Sequence, residues 1–170
     1  MIMNYFELFE IPVRFKPDPV LVKKKFYELS RKYHPDFFSQ AGGEKQAEVL
    51  ETSSMVNRAY KTFLDEDATM RYILKLHGLL EEEEKYELDK AYLMEVLELN
   101  ELLMEADAAD AASMQAIRKK TEAIDNELYD AIKPVLEHYQ EGVTSEKELL
   151  QVKDYYFKKK YLQRILDKLG

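Results

Sequence analysis

The stretch Pro19-Val20-Leu21-Val22-Lys23-Lys24-Lys25-Phe26-Tyr27-Glu28-Leu29-Ser30-Arg31-Lys32-Tyr33-His34-Pro35-Asp36 decides how this 170-residue chain reads. Asp18 can cap a helix whose first turn accepts Pro19. Val22, Phe26, Leu29 and Tyr33 then recur at helical spacing and define one apolar stripe. The other faces carry Lys23, Lys24, Lys25, Arg31 and Lys32 against Glu28 alone. Pro35 fixes its own φ and pushes His34 out of the α region, so the helix should stop by Tyr33. An imidazole and a carboxylate are left on a stiff, exposed corner. An ordinary helix-terminating turn would use the same residue types, so the flanking sequence has to carry the argument.

After the corner, Gln40-Ala41-Gly42-Gly43 reads as a loop, followed by a long helical pattern. Val49, Val56, Tyr60, Phe63 and Leu64 can pack back on the first stripe. The expected product is an antiparallel helical hairpin with His34-Pro35-Asp36 at its tip and a basic flank. Asn4-Tyr5-Phe6-Glu7-Leu8-Phe9 adds a short opening helix whose aromatics can close the hairpin.

These features resemble the J-domain of DnaJ-type co-chaperones over about residues 3–77. The matching residues are the Tyr5-Phe6-x-Leu8-Phe9 opening, the basic second helix, His34-Pro35-Asp36, and Asn57-x-Ala59-Tyr60-x-x-Phe63-Leu64. The resemblance implies stimulation of ATP hydrolysis by a DnaK-type chaperone. It makes His34, Pro35 and Asp36 the triggering corner. Lys23, Lys24, Lys25, Arg31 and Lys32 become candidates for steering onto an acidic chaperone surface, where the plain alternative is a solvated helix face.

Composition sets the outer bounds. Apolar residues are 46% of the chain, which suits a globular protein with a sizeable core. With five Gly and five Pro, the long periodic stretches point to an all-α fold. No apolar run approaches the roughly 18 residues of a membrane span. Met1-Ile2-Met3-Asn4 lacks the basic start and apolar core of a signal peptide, so cytoplasmic residence is expected. The chain has no cysteine, which removes disulfides, thiolate-held metals and a Cys nucleophile. His34, His77 and His138 have no ligand spacing, and no Gly-rich phosphate loop is present. Neither metal, cofactor nor catalytic constellation is expected. Residues 1–78 hold 12 Lys/Arg and 11 Asp/Glu, whereas residues 79–170 hold 13 and 22. That acidic second half disfavours nucleic acid and anionic membrane as partners.

The second half reads as three helical stretches, about 83–106, 110–140 and 145–168. Gly78 is a natural stop for what precedes. Glu81-Glu82-Glu83-Glu84 is expected to open the first of these helices, where carboxylates suit the dipole. Ser145-x-x-Glu148 reads as a capping box. Pro134 should kink or split the middle helix near residues 129–133. Short links between long amphipathic helices imply a three-helix bundle. In the first bundle helix Tyr92, Val96, Leu99 and Leu103 fall within roughly a quarter of the circumference and can fill the core. Leu93, Met94 and Leu97 lie on another side, beside Glu98, Glu101 and Glu105. An apolar centre with a charged rim is how a partner site is built, although packing within the protein could also cover it.

Ala91-Tyr92-Leu93-Met94-Glu95-Val96-Leu97-Glu98-Leu99 closely resembles the segment that follows the J-domain in the iron–sulfur co-chaperone family HscB. The layout is similar too: a J-domain, the Tyr72-Ile73-Leu74-x-Leu76-His77-Gly78 junction, then a three-helix bundle. The resemblance implies a J-domain over 1–78 and a scaffold-binding bundle over 79–170. It implies two partners, an HscA- or DnaK-type chaperone and the iron–sulfur scaffold protein IscU, with delivery of the scaffold assisting cluster transfer. Carried over by position, Leu93, Met94, Leu97, Glu98, Glu101 and Glu105 become the scaffold-binding patch, with Tyr156 beside it. Asn100 stands where a basic residue is expected. A general J-domain adaptor for other clients, or a helical interaction module with weak self-association, is the alternative.

Overall fold

The computed structural model describes residues 3–170; Met1 and Ile2, part of the N-terminal leader reading, lie outside the described residues. The chain is all-α, and no strand occurs among the described residues. It forms two compact units. The first runs to Ile73 and takes in Tyr139–Glu141; the second spans Leu74–His138 and Gly142–Gly170.

In the first unit, α1 (Tyr5–Phe9) is capped by Asn4, whose side chain accepts from the Glu7 N–H. Helix α2 (Pro19–Lys32) starts at the Asp18 cap with Pro19 in its first turn and stops before Tyr33. Helix α3 (Gly43–Phe63) returns along α2. Phe63 is the hub of the packing. The Phe6 ring lies 4.9 Å from it and the Phe9 ring 5.1 Å, and Tyr5 meets it edge-on at 6.5 Å. Farther along, Phe26 of α2 stacks on Tyr60 of α3 at 3.9 Å. Leu64, expected to join this packing, is instead exposed. The reason is a break the hydrophobic pattern hides: the Asp65 side chain accepts from the Ala68 N–H and starts a new helix, α4 (Glu66–Leu76). The Thr69 hydroxyl, fully buried, ties the two helices by bonds to the Thr62 and Asp65 carbonyls. Gly78, at φ +68°, follows the end of α4.

The second unit is a bundle of α5 (Lys90–Glu105), α6 (Ala111–His138) and α7 (Glu146–Leu169), each in contact with the other two. Ser145 and Glu148 form the expected capping box. Two expectations fail. The run Glu81-Glu82-Glu83-Glu84 does not open a helix: residues 81–89 form an irregular strap, and Glu83 has φ +53°. Its carboxylates are used by cations elsewhere, Glu84 by Lys153 at 2.7 Å and Glu82 by Lys75. Leu80 and Leu88 are buried at the ends of the strap. Of the two outcomes expected at Pro134, the split does not occur: α6 is one helix from Ala111 to His138. Pro134 is exposed and deprives the Asp130 carbonyl of its helical partner, a single lost bond, while Ile132 and Leu136 on either side of it are buried and keep the helix packed.

A polar clasp starts α5. Asp89 caps it, accepting from the Tyr92 N–H at 2.8 Å, and receives the Lys158 ammonium of α7 at 2.9 Å. Lys158 also meets Asp154 at 2.9 Å, which in turn accepts from the Tyr86 hydroxyl. Burial and that hydrogen bond push the Tyr86 phenol up to about 12. The Tyr92 hydroxyl donates to the Lys158 carbonyl at 2.6 Å. Hydrogen bonds from Lys158 and from the Tyr92 backbone hold the Asp89 carboxyl below the usual carboxylate range.

Lys158→Met should destabilise the chain by about 1–2 kcal/mol, between the values for exposed and buried pairs. Because the folded state lowers the Asp89 pKa, its contribution is present above the unfolded carboxylate value and disappears as pH falls through the folded one. Urea unfolding should therefore give a gap between wild type and variant that is full at neutral pH and narrows in acid.

Candidate functional site: two exposed surfaces

The first surface is the corner after α2. His34 takes an extended conformation (φ −69°, ψ 127°), as the following proline requires. Residues Pro35–Phe38 then make one 3-10 turn. His34 Nδ1 accepts from the Asp36 N–H at 3.3 Å, and the Asp36 carboxylate approaches the same nitrogen at 3.7 Å. His34, Pro35 and Asp36 are all exposed. The corner is thus held by its own backbone while both polar side chains face solvent.

The cations of α2 divide. Lys23, Lys24, Arg31 and Lys32 are exposed. Lys25 is turned inward, 3.5 Å from Glu10 and 3.9 Å from Glu28, so its charge is largely answered within the unit.

The second surface is the outer side of α5. Tyr92, Val96 and Leu99 are buried with Leu162 and Ile165 of α7, and Leu88 joins them from the strap. Leu103 is half-buried. This fixes the rotation of the helix and turns Leu93, Met94 and Leu97 outward, at 42%, 57% and 49% exposure. Glu98, Glu101 and Glu105 are exposed beside them. Packing within the bundle therefore leaves this face substantially open.

The sequence reading missed Met104. It lies seven residues after Leu97, two helical turns on along the same stripe, and is 87% exposed. The periodicity that selected Leu93 and Leu97 would have selected it as well. Tyr156 behaves otherwise: only 5% exposed, with the Lys160 ammonium 4.9 Å over its ring, it is a buried residue rather than part of the open face. Asn100 is half-buried.

Comparison with known proteins bears on these surfaces. Residues 88–170 match the model of the HSCB C-terminal oligomerisation domain. The human iron–sulfur cluster co-chaperone protein HscB is 34% identical over 154 residues, covering 90% of this chain. The chain spans 64% of that relative's length. The crystal structure of human co-chaperone protein HscB superimposes with a TM-score of 0.76 at 31% identity, over 98% of this chain and 80% of that one. Chaperone HscB from Vibrio cholerae gives a TM-score of 0.70 at 28% identity, over 98% and 95%. Sequence and fold agree along nearly the whole chain, and it belongs to the HscB family.

Proposed function

We propose that this chain is an adaptor. It brings an iron–sulfur scaffold protein of the IscU type to a DnaK- or HscA-type chaperone and stimulates ATP hydrolysis by that chaperone. Residues 1–78 act as the J-domain and residues 79–170 as the scaffold-binding bundle. The observation that carries the reading is the presence of two open surfaces of different chemistry, one on each compact unit. The ATPase chemistry belongs to the chaperone. The cluster is cargo on the scaffold, since this chain has no cysteine with which to hold it.

The corner suits the trigger. Asp36 offers an exposed carboxylate for a charge-assisted contact with a basic group of the chaperone. Lys23, Lys24, Arg31 and Lys32, with Lys25 behind them, would steer the encounter with an acidic surface. On the bundle, Leu93, Met94, Leu97 and Met104 supply the apolar centre of the scaffold site. Glu98, Glu101 and Glu105 supply a rim suited to a basic partner. The patch works without direct contact from Tyr156. Linking the two sites in one chain raises the effective concentration of scaffold near its chaperone, so moderate affinities suffice. A cytoplasmic location fits this role, and no helix among the described residues is long and apolar enough to cross a membrane.

Asp36→Asn should reduce chaperone ATPase stimulation to background with an unchanged melting curve, because an exposed carboxylate contributes little to the core. Normal stimulation by the folded variant would remove the corner from the mechanism. Neutralising Lys23, Lys24, Arg31 and Lys32 together should weaken stimulation more at low than at high salt, since exposed charges are screened. Equal loss at both salts would contradict steering.

Replacing Leu93, Met94 and Leu97 together by Ala should weaken binding to purified IscU-type scaffold, at about 1 kcal/mol or more per side chain buried in the complex. Met104→Ala should weaken it further. Stimulation of the chaperone without scaffold should be unaffected, and the melting temperature should hardly move because these side chains leave no core cavity. Unaltered scaffold affinity in a folded quadruple variant would exclude this face.

A further inference from the structure

A groove runs between α5 and α6. It holds two adjoining clefts, of about 270 Å³ and 230 Å³, which share Leu102 and Lys120 in their walls. The sequence explains the space. Ala116 and Ala123 line it from α6, one on each side of Lys120, and their short side chains leave the wall low. The floor is apolar: Ile117 and Leu99 are buried, and Leu102, common to both clefts, is 36% exposed. The rim is charged. Glu105 lines the first cleft, Glu95 and Glu98 line the second, and all three are exposed. Lys120, also exposed, is the cation set against them.

The groove starts where the apolar face of α5 ends, and Glu98 and Glu105 belong to both. Leu102 lies one turn beyond Glu98 and about 40° further round the helix. From this we infer that the groove is a second seat for the scaffold, taking a segment that carries an aliphatic side chain between two basic ones. The inference rests on the scaffold-binding reading above and deepens it. The aliphatic side chain covers Leu102. One cation meets Glu95 and Glu98; the other meets Glu105, about 10 Å along the helix from Glu98. Charge argues for this occupant, because three carboxylates stand against one ammonium. A second copy of this chain would bring an acidic bundle, with 22 Asp/Glu against 13 Lys/Arg in residues 79–170, to the same acidic rim. Continuity argues for the scaffold as well, since a partner seated on Leu93 and Leu97 reaches the groove across Glu98. Lys120 opposes the cations of that partner, so it gives up affinity and sharpens selection.

The test measures binding of a purified IscU-type scaffold by isothermal titration calorimetry at low and high salt. The full-length wild type is compared with Lys120→Glu, Lys119→Glu, Leu102→Ser and the variant with Leu93, Met94 and Leu97 all replaced by Ala. Lys120→Glu should tighten binding about fivefold at low salt, and the gain should shrink at high salt as exposed charges are screened. Lys119→Glu makes the same change of charge on the neighbouring residue, which lines neither cleft, and should stay within about twofold of wild type. A change that merely loosened the fold would not tighten binding. Leu102→Ser should weaken binding about tenfold at either salt, as expected for an apolar side chain lost from an interface.

Equal affinities for Lys120→Glu and Lys119→Glu, with the triple-alanine variant weakened, overturn this inference and leave the scaffold reading standing, whatever Leu102→Ser does. Wild-type affinity in the triple-alanine variant overturns both. A wild-type dimer in sedimentation velocity that Leu102→Ser dissolves would give the groove to a second copy and overturn the inference by another route.

Discussion

The burial of Tyr92, Val96 and Leu99 against Leu162 and Ile165 is the contact on which the second unit depends. A helix has one rotational setting about its axis, and core packing chooses it. Once these three side chains are inside, the positions of Leu93, Met94, Leu97 and Met104 follow from 100° steps. The Lys158 clasp fixes the remaining freedom, the axial position of the first turn, by holding the Asp89 cap. The open face is therefore a product of the core. A change at Leu162, fully buried inside the bundle, would disturb it as surely as a change on the face.

The first unit uses a different device for the same end. Aromatic rings converge on Phe63, and Tyr5 doubles its contact by stacking on Tyr72 at 4.3 Å while its backbone N–H donates to the Tyr72 hydroxyl. Flat rings have few rotamers to lose, so such a cluster is inexpensive in entropy for the area it buries. The hairpin it braces carries the corner at its far end, where His34, Asp36 and Phe37 are exposed.

How much could be read from sequence alone varied with the kind of signal. Caps and prolines act within three or four residues, so Asp18, Ser145 with Glu148, and the stop before His34 were legible. Core and surface sides of α5 were legible because a long helix averages its own periodicity. The start of α5 was not. A run of four glutamates suits a helix N-terminus, and only the tertiary positions of Lys75 and Lys153 draw those carboxylates into a strap. Leu64 failed for a related reason: the apolar period continues across the Asp65 cap, which resets the helix. Pro134 misled because a proline removes one helical hydrogen bond, and the tertiary burial of Ile132 and Leu136 around it, which sequence does not show, holds the helix together. Tyr156 was placed by likeness of position alone, and periodicity on α7 gives no sign of its burial, since Tyr155 beside it is buried as well.

The corner carries one further consequence. Since His34 Nδ1 accepts from the Asp36 N–H, a neutral ring must carry its proton on Nε2. The tautomer is chosen by the turn. The exposed corner then carries a fixed pair, an N–H donor on the imidazole and an acceptor on the carboxylate. A proton added to Nδ1 would face the backbone N–H instead of receiving it, and the ring would have to turn toward the Asp36 carboxylate. The tautomer and orientation of the ring are thereby tied to a single backbone hydrogen atom.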